Sequence, residues 1–592
     1  MTSTDHAAPN LPVTAPNKGV TDTPSAFEPK LRKELSRLDS SIPFRPQTRY
    51  LHHTWAQTFF ARPEFFFQPQ NVAELQKIVT VARRLNKRLC VTGFGHSPSD
   101  LSLTSSWLIN LDALSEVLET GVGGRKGLVR FEAGISLHDL NVELAKHGLT
   151  LPNLGSIDVQ SVAGSIATGT HGSSLKHGML SDSITSLKIM LSNAKVVDCS
   201  AEKNPELFRA ALVSLGALGI ITEITFQAVP DFNISWSQKL FTLDHVLSTW
   251  DTTLWEKEYT RVWWMPYMKR AVIWSADPTS EPVRHPQVTF YGGKFGYYLY
   301  HNLLYLSHWT PRILPWVEWL IFGMQYGFKP GSFEMTAVQP VREGLLMDCL
   351  YSQFVNEWAL PLEKGPEAIT RLSAWINGDE KASRIPYSSK GLWVHCPIEV
   401  RVSDTNTDNN INGVRPYLSP PVKDGPTLYL NATLYRPYGK DPPCVNRYYE
   451  AFEWLMKDVG ARPHWAKNFM YTERDDIEAM YGDDMKEFMK IRDESDPQGL
   501  FIGQWHQRNL PISETIGLEV EETRRKMGRG WGDGVLWIGR QLGIANAQEE
   551  EEDGQKTPSP PLTSTTSTSE ESFDYMAKGE ASVYNEIQEM GG

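Results

Sequence analysis

The feature that most constrains this chain is a glycine-rich segment in which large side chains are almost absent. Residues 150–174 read TLPNLGSIDVQSVAGSIATGTHGSS and place Gly155, Gly164, Gly169 and Gly172 among serine, threonine and alanine. A backbone without bulk can lie flat against a long ligand, and its amides and hydroxyls can donate hydrogen bonds to a pyrophosphate. The alternative is an ordinary pair of glycine-rich loops.

A second glycine-bearing run, VTGFGHSPS at residues 91–99, follows an apolar strand earlier in the chain. Its two glycines, Gly93 and Gly95, would let backbone N–H groups approach a phosphate. Pro98 replaces the third glycine of a Rossmann fingerprint and no Gly-Lys-Ser/Thr follows, so neither nucleotide motif fits. Alone, the run also fits a strand-to-helix turn capped by Ser97, but its nearness to the first segment favours ligand binding.

Composition divides the 592 residues into a folded body and two polar ends. Residues 1–50 are predicted to form a flexible N-terminal arm, and residues 541–592 a disordered acidic tail. The tail holds eleven acidic and two lysine side chains, so it carries most of the formal net charge of −12. The body is therefore close to neutral and gives no electrostatic reason to expect nucleic acid as a partner.

Hydrophobic periodicity predicts an α+β protein with two large domains. Residues 51–235 alternate amphipathic helices, such as 74–87, with short apolar strands. Residues 236–540 are rich in tryptophan and tyrosine and contain strand-like runs at 260–267 and 392–403. We therefore predict a second, sheet-based domain in that part of the chain.

The five cysteines are widely spaced and form no CxxC pair, so no zinc site is expected and a reducing compartment is favoured. The N-terminus has no apolar signal segment, which favours an intracellular protein. The aromatic stretch 295–328 is interrupted by Pro311, Arg312, Pro315 and Glu318, so it is not expected to span a membrane. It fits either a buried or capping insertion or an interfacial membrane contact.

Three segments together resemble the aldonolactone oxidoreductases of the vanillyl-alcohol-oxidase flavoprotein superfamily. They are the GHSPS turn, the 150–174 segment and RPHWAK at 462–467, with LMDCLYSQFVNEWALP at 346–361 as a further similar stretch. The resemblance extends from about Trp55 to Trp505. It implies an FAD-binding domain of two α+β subdomains at 51–235, and a sheet-based substrate (cap) domain at 236–540 that returns to the flavin.

The same resemblance implies that FAD lies on both glycine-bearing segments and is covalently linked through His96. A neutral imidazole is a competent nucleophile toward the activated flavin methyl group; an unattached His96 packed on the flavin edge is the alternative. The implied cofactor-binding residues are Gly93, Phe94, Gly95, His96, Ser97, Pro98, Gly155, Ser156, Ser161, Gly164, Thr168, Gly169, His171, Gly172 and Ile220.

Gly155 has a particular meaning in the resembling family. Oxidase members carry glycine at the matching position and dehydrogenase members carry alanine, whose methyl group can close the path of oxygen in a packed interior. Gly155 therefore implies an oxidase. The alternative is that this glycine serves only a positive φ in the turn.

Alternation along residues 398–403 places Glu399 and Arg401 on one face of a strand. From the residues alone, an acid and an arginine arranged in this way most often form a surface ion pair. The resemblance implies instead that Glu399 binds a substrate hydroxyl, that Arg401 stabilises negative charge, and that Lys467 favours the reduced anionic flavin. Lys467 also fits a solvated side chain, and His464 fits either a substrate contact or a packed histidine.

The implied reaction is flavin-dependent oxidation of an aldono-1,4-lactone, foremost D-arabinono-1,4-lactone, to an ascorbate-type ene-diol lactone, with oxygen reduced to hydrogen peroxide. A dehydrogenase with a cytochrome-type acceptor, an alditol oxidase, and a membrane scaffold with a vestigial flavin site are the alternatives. The implied partners are the lactone and molecular oxygen. Likeness to mitochondrial-membrane enzymes adds peripheral membrane contact as an expectation.

Overall fold

The computed structural model describes residues 27–287, 293–347, 349–395 and 397–511, and the backbone of residues 20–21. Residues 1–19 and 22–26 of the predicted arm, and the whole predicted tail at 541–592, lie outside the described residues.

The predicted arm is too long, because its residues from 27 onward are folded. Pro29–Leu35 form a helix, and Phe27 and Leu31 are each only 5% exposed in a core that also contains Phe67. These apolar side chains stand far apart in a polar stretch, so composition alone did not reveal that they are buried.

Up to residue 230, short strands alternate with helices. The strands are β1 (Val20–Thr21), β2 (Gln47–Thr48), β3 (His52–His53), β4 (Phe60–Ala61), β5 (Phe65–Phe67), β6 (Leu89–Thr92), β7 (Trp107–Asn110), β8 (Val117–Thr120), β9 (Leu128–Glu132), β10 (Leu149–Thr150), β11 (Ile184–Met190), β12 (Val196–Ser200), β13 (Ile220–Gln227) and β14 (Val229–Pro230). The helices are α1 (Pro29–Leu35), α2 (Val72–Arg84), α3 (Leu137–Lys146), α4 (Val162–Ala167) and α5 (Pro205–Ala211).

Longer strands dominate the rest of the described chain. They are β15 (Asn233–Thr242), β16 (Tyr259–Met265), β17 (Arg270–Thr279), β18 (Glu334–Pro340), β19 (Gln353–Pro361), β20 (Ile398–Asp404), β21 (Pro426–Tyr435) and β22 (Arg462–Pro463). The helices are α6 (Leu243–Ser248), α7 (Lys294–Ser307), α8 (Leu314–Tyr326), α9 (Val341–Gly344), α10 (Gly365–Ile376), α11 (Glu380–Ser383), α12 (Val445–Asp458), α13 (Arg474–Tyr481), α14 (Asp483–Ser495) and α15 (Gln504–Asn509).

These strands form three main sheets. A five-stranded sheet has the order β1-β2-β5-β7-β6, with β5, β7 and β6 parallel. A second five-stranded sheet, β12-β11-β13-β9-β8, is antiparallel. The third sheet has eight strands in the order β18-β15-β17-β16-β20-β21-β19-β22. The chain therefore has the mixed helix and sheet content that the sequence predicted.

Local sequence explains why the first sheet ends in the glycine-bearing turn. Helix α2 begins after Asn71, whose side chain accepts a hydrogen bond from the Glu74 N–H, and it buries Leu75, Ile78 and Val79. Strand β6 follows this helix and pairs in parallel with β7. The 93–98 turn follows the carboxyl end of β6. Ligands commonly bind at the edge of a sheet where the carboxyl ends of parallel strands lie.

One hydrophobic cluster joins the second and third sheets. It contains Phe131 and Ile189 from the second sheet, Trp236 and Trp274 from the eight-stranded sheet, and Trp505 of α15. The two sheets therefore share a core, and helix α15 completes it.

The last described segment also binds back to the first half of the chain. The Leu89 N–H of β6 donates to the carbonyl oxygen of Leu500 (2.8 Å), and His506 Nε2 lies 2.8 Å from the carbonyl oxygen of Leu215. The His506 Nδ1 accepts from the Gly503 N–H, which leaves the ring proton on Nε2 and makes that nitrogen the donor.

The strand expected at 392–403 is shorter in the structure. Strand β20 begins at Ile398, directly after Pro397. Proline has no N–H for a sheet ladder and usually marks a strand boundary, which accounts for the later start.

Residues 295–328 form most of a helical hairpin, α7 and α8, rather than a single span. Its inner side buries Leu304, Val317 and Ile321, whereas Trp309 and Trp316 are 64% and 52% exposed. Among the described helices, none has both the length and the apolar character needed to cross a bilayer.

Candidate active site

A cavity of about 310 Å³ extends along the glycine-bearing segments to the eight-stranded sheet. Leu89 and Ile220 line it in the first half of the chain, and Glu399, Arg401 and Lys467 line it in the second half. The cavity thus brings together the predicted cofactor segments and all three residues predicted to be catalytic.

The two glycine-bearing segments are in direct contact. A Cβ on Gly93 would lie 2.1 Å from the Ser161 Oγ, so no larger residue fits at position 93 without displacing that serine. Gly95 has a φ of +70°, and a Cβ there would lie 3.1 Å from the carbonyl oxygen of His53. The glycines at 93 and 95 are therefore required for space and for backbone conformation, respectively.

Most of the predicted cofactor residues line the cavity. They are Gly93, Phe94, Gly95, His96, Ser97, Pro98, Gly155, Ser156, Ser161, Gly164, Thr168, His171 and Ile220. Gly169 and Gly172 are not part of the lining. Gly169 has a φ of +74° and lies beside Pro420, and a Cβ on Gly172 would overlap the Asn153 amide. These two glycines are therefore required for the backbone conformation and packing of the segment.

Gly155 has an ordinary backbone conformation rather than the positive φ of a glycine-only turn. A Cβ at this position would lie 3.4 Å from Thr170 Cγ2 and 3.7 Å from the carbonyl oxygen of His171, which is normal van der Waals contact. The alternative that Gly155 serves only a left-handed turn is therefore wrong, and an alanine fits at this position without strain.

His96 has unused hydrogen-bonding capacity in the cavity wall. Its ring lies 5.6 Å from the ring of Trp55 at an angle of 24°, and both ring nitrogens are buried without a hydrogen-bond partner among the described residues. Burial, helped by the nearby charge of Lys467, lowers the pKa of His96 to about 4. The imidazole is therefore neutral at physiological pH and has a lone pair available.

Cross-strand pairing builds a polar floor from four neighbouring strands of the large sheet. Trp263 of β16 pairs with Glu399 of β20, Glu399 pairs with Asn431 of β21, and Asn431 pairs with Glu357 of β19. Directly paired residues share one face of a sheet, so these four side chains lie side by side. Asn431 Nδ2 lies 3.4 Å from Glu357 Oε2 and 3.5 Å from Glu399 Oε2.

Arg401 links the two acids of this floor. One guanidinium nitrogen, Nη2, lies 2.6 Å from Glu357 Oε1, and Nε lies 3.5 Å from Glu399 Oε2. The pairing of Glu399 with Arg401 expected from alternation is present, but the shorter contact is made to Glu357. Arg401 is 6% exposed and Glu357 is 1% exposed, so this is a buried ion pair rather than a surface one.

Glu357 was missed by the sequence analysis and is the centre of the charged cluster. Burial alone would raise the pKa of its carboxyl, but Arg401, His171 and Lys467 hold it well below the usual range. His171 Nε2 lies 3.0 Å from Glu357 Oε1, and Lys467 Nζ lies 3.8 Å from Glu357 Oε2. The available signal was that Glu357 is the only acid in the mostly apolar strand β19 of the 346–361 stretch.

The two histidines beside Glu357 are fixed differently. His171 stacks on Tyr429 with ring centres 3.4 Å apart, and its Nδ1 lies 2.9 Å from the carbonyl oxygen of Gly172. The His464 Nδ1 accepts from the Ala466 N–H, so its proton is on Nε2. His464 is 3% exposed, which fits a packed histidine, and it also lines the cavity, so the substrate contact stays a prediction.

Comparison with known proteins defines the class first. Residues 63–200 match the family model described as FAD binding domain. A solvent-stable cholesterol oxidase has a TM-score of 0.64 at 17% identity, covering 81% of this chain and 99% of its own. Cholesterol oxidase from Brevibacterium sterolicum has a TM-score of 0.64 at 16% identity, covering 83% and 100%. The chain is therefore an FAD-binding protein with the vanillyl-alcohol-oxidase type of α+β fold, as predicted.

The second half of the chain and the sequence relatives define the family. Residues 224–509 match the model described as D-arabinono-1,4-lactone oxidase. A putative D-arabinono-1,4-lactone oxidase of Neurospora crassa is 49% identical over 536 residues, covering 86% of this chain and 96% of its own. The D-arabinono-1,4-lactone oxidases of Yarrowia lipolytica and Saccharomyces cerevisiae are 41% and 36% identical, covering 77% and 79% of this chain and 97% of their own. The chain belongs to this family, which confirms the resemblance seen in the sequence.

The described residues fit FAD in this cavity. The contact between Gly93 and Ser161 leaves a smooth wall for a long ligand, and the buried nitrogens of His96 lack other partners. Arg401 and Lys467 add positive charge to the lining, and Lys467 is near enough to His96 to lower its pKa. Among the described residues, no cluster of three histidine, cysteine or acidic side chains could hold a metal ion.

Proposed function

We propose that the chain oxidises an aldono-1,4-lactone, foremost D-arabinono-1,4-lactone, at the hydroxyl-bearing carbon next to the carbonyl. The observation that carries this proposal is the shared cavity: Glu399, Arg401 and Lys467 line the same cavity as His96. A polyhydroxylated lactone needs both hydrogen-bond donors and acceptors, and this end of the cavity offers carboxylate, guanidinium, ammonium and amide groups. The relatives named D-arabinono-1,4-lactone oxidase support the choice of substrate.

In this proposal each polar side chain has one role. Bound FAD supplies the acceptor for the hydride that leaves the substrate carbon. Glu399 accepts a hydrogen bond from the substrate hydroxyl and so fixes the orientation of that carbon. Arg401 and Lys467 stabilise the negative charge that develops in the transition state, and Glu357 holds both cations in place.

The direct test is anaerobic reduction of the purified yellow protein by D-arabinono-1,4-lactone, followed by absorbance. Bleaching by the lactone and not by the open-chain polyol D-arabinitol supports the proposal. Bleaching by the polyol alone would favour an alditol oxidase, and a colourless protein would favour a scaffold. Adding oxygen or cytochrome c to the reduced protein separates an oxidase from a dehydrogenase.

We further propose that FAD is covalently bound through His96. Its neutral ring and the lack of partners for both nitrogens support this role. Yellow colour is expected to stay with the polypeptide after acid precipitation, and His96→Ala is expected to release all flavin into the supernatant. His138→Ala, an exposed histidine of α3, should leave the colour bound. Free flavin from the unmodified protein would contradict the linkage.

We also propose that oxygen is the electron acceptor and hydrogen peroxide the product, as Gly155 suggests. Gly155→Ala is expected to slow the reaction of the reduced enzyme with oxygen by at least about tenfold, because a methyl group narrows a packed path. Reduction by the lactone should change less than about twofold, since alanine fits without strain here. Stopped-flow measurement of each half-reaction decides, and equal slowing of both would refute the oxygen path.

The exposed side of α7 and α8 supports peripheral contact with a membrane, including a mitochondrial one. Trp309 and Trp316 are exposed, Lys440 lies over the Trp309 ring, and Arg312 lies between the two tryptophans in the chain, a combination that suits the headgroup region of an anionic bilayer.

Co-sedimentation with vesicles tests this contact. We expect binding to phosphatidylcholine vesicles containing phosphatidylserine, and at least about tenfold weaker binding for the double change Trp309→Ser and Trp316→Ser. Phe60→Ser is the control, because Phe60 is 42% exposed on β4 in the other half of the chain. Equal sedimentation of the unmodified protein, the double variant and Phe60→Ser would show that this surface does not bind the membrane.

A further inference from the structure

Arg261 of β16 is a buried cation whose donors the fold does not use. The residue is 1% exposed, and Nε, Nη1 and Nη2 are all buried without a hydrogen-bond partner among the described residues. The nearest ring contact is with Trp274, whose centre lies 5.4 Å from the guanidinium carbon. Burying an unpaired guanidinium is strongly unfavourable, so Arg261 is expected to lower the stability of the fold.

Sheet register places Arg261 on the face of the sheet that carries the proposed substrate-binding residues. Val262 pairs with Val400, and Trp263 pairs with Glu399, across β16 and β20. Residues two apart share a face, so Arg261 lies on the face of Trp263 and one step along the strand from the Glu399 pairing. Arg401 is the next residue of β20 on that same face.

The charges around Arg261 are unequal. Burial lowers the pKa of Arg261 to about 10, Glu399 opposes this shift, and Arg401 adds to it. The guanidinium is thus charged at neutral pH, and Glu399 attracts it whereas Arg401 repels it. Glu357 cannot balance it in the same way, because that acid is already shared by Arg401, His171 and Lys467.

Glu399 is held only weakly by its direct partners. Arg401 Nε and Asn431 Nδ2 each lie 3.5 Å from Glu399 Oε2, and the side chain is 16% exposed. Side-chain contacts this long leave a carboxylate freedom to turn. A second positive charge on the same sheet face restricts that freedom through Coulomb attraction, which is strong in a buried environment.

We propose that Arg261 is a positioning residue that holds the Glu399 carboxylate in its substrate-binding orientation, at a cost in fold stability. The inference rests on the proposed function for its catalytic part. Its electrostatic part, the coupling between Arg261 and Glu399, stands on the structure alone and can be measured without substrate.

The first experiment measures melting temperature in the holoenzyme for a double-mutant cycle. Arg261→Met is expected to raise the melting temperature by about 2–4 °C, because an apolar side chain replaces an unpaired charge. Glu399→Gln is expected to lower it in the unmodified background and to lower it less after Arg261→Met, where only the contacts with Arg401 and Asn431 are weakened. Equal lowering in both backgrounds would overturn the coupling. Lower melting temperatures or failure to fold for both Arg261→Met and Arg261→Lys would assign Arg261 a structural role and overturn the proposal.

The second experiment measures kcat and KM with D-arabinono-1,4-lactone in the four proteins of the cycle and in Arg261→Lys. Arg261→Met should lower kcat/KM at least about tenfold, Arg261→Lys should restore part of it, and Arg261→Met should add less than about twofold in the Glu399→Gln background. Additive losses would overturn a role through Glu399. If the unmodified enzyme does not turn over the lactone, the proposed function fails, while the melting-temperature cycle still decides the coupling.

Arg492 of α14 provides the matched control. It is also fully buried, and its guanidinium nitrogens likewise lack a hydrogen-bond partner among the described residues, but it forms an ion pair with Asp493 and is attracted by Asp496. Neither arginine lines the cavity, and Arg492 is not on the sheet that carries Glu399. Arg492→Met is expected to lower the melting temperature and leave kcat/KM unchanged, the opposite pattern to Arg261→Met. The same pattern at both positions would refute the special role of Arg261.

Discussion

Arg401→Ala is expected to lower kcat with D-arabinono-1,4-lactone by about 100- to 1,000-fold, the range typical for loss of one preorganised group facing developing charge. Arg401 is the one positively charged residue that contacts both Glu357 and Glu399 among the described side chains, so its loss removes the cation that the two acids share. Steady-state kinetics and anaerobic flavin reduction measure the effect.

Arg436→Ala is the control for this loss. Arg436 is likewise partly buried and ion-paired, to Asp441, and it packs over the ring of Phe354, but it does not line the cavity. Its removal should lower stability while kcat stays within about twofold, as expected for a residue without contact to the reacting groups. Normal turnover of Arg401→Ala on every lactone tested would remove Arg401 from the mechanism.

Glu357→Gln is expected to destabilise the protein by about 3–5 kcal/mol, because it leaves the buried Arg401 without its closest counter-charge. Turnover should fall by at least about tenfold, since the guanidinium and Lys467 lose the acid that positions them. Thermal unfolding and flavin reduction by the lactone, measured on the same sample, report the two effects.

Glu453→Gln separates loss of charge pairing from loss of hydrogen bonds. Glu453 is as buried as Glu357, but its carboxylate accepts from neutral donors: Asn356 Nδ2, the Thr472 hydroxyl and two backbone N–H groups. Its replacement should lower stability and leave turnover unchanged.

Combining Glu357→Gln with Arg401→Met removes both buried charges. The double variant is expected to be more stable than Glu357→Gln alone and still inactive, because a buried pair replaced as a whole leaves no unpaired charge. Strictly additive loss of stability would show that the two residues are not energetically coupled.

Much of the candidate site could be predicted because the relevant sequence patterns involve neighbouring residues. The clustering of small residues in the 150–174 segment identified one cavity wall, and alternation within β20 placed Glu399 beside Arg401. These patterns depend on a few neighbouring residues, which is the range over which backbone conformation and strand periodicity act.

The residues that were missed depend on long-range register. Glu357 meets His171 across 186 positions and Arg401 across 44, and no local pattern fixes those pairings. The position of Arg261 likewise follows from the alignment of β16 with β20. Register between distant strands is set by the packing of the whole sheet, so it could not be read from periodicity alone.

The position of Leu500 and His506 has a consequence for biosynthesis. Leu500 pairs with the strand that leads into the glycine-bearing turn, and His506 lines the cavity while it binds Leu215. The cavity wall is therefore incomplete on a ribosome-bound chain until these residues have emerged from the exit tunnel, long after the first half can begin to fold. FAD is therefore expected to bind to the complete cavity only late in synthesis. A chain that stops before residue 500 should accumulate as colourless protein.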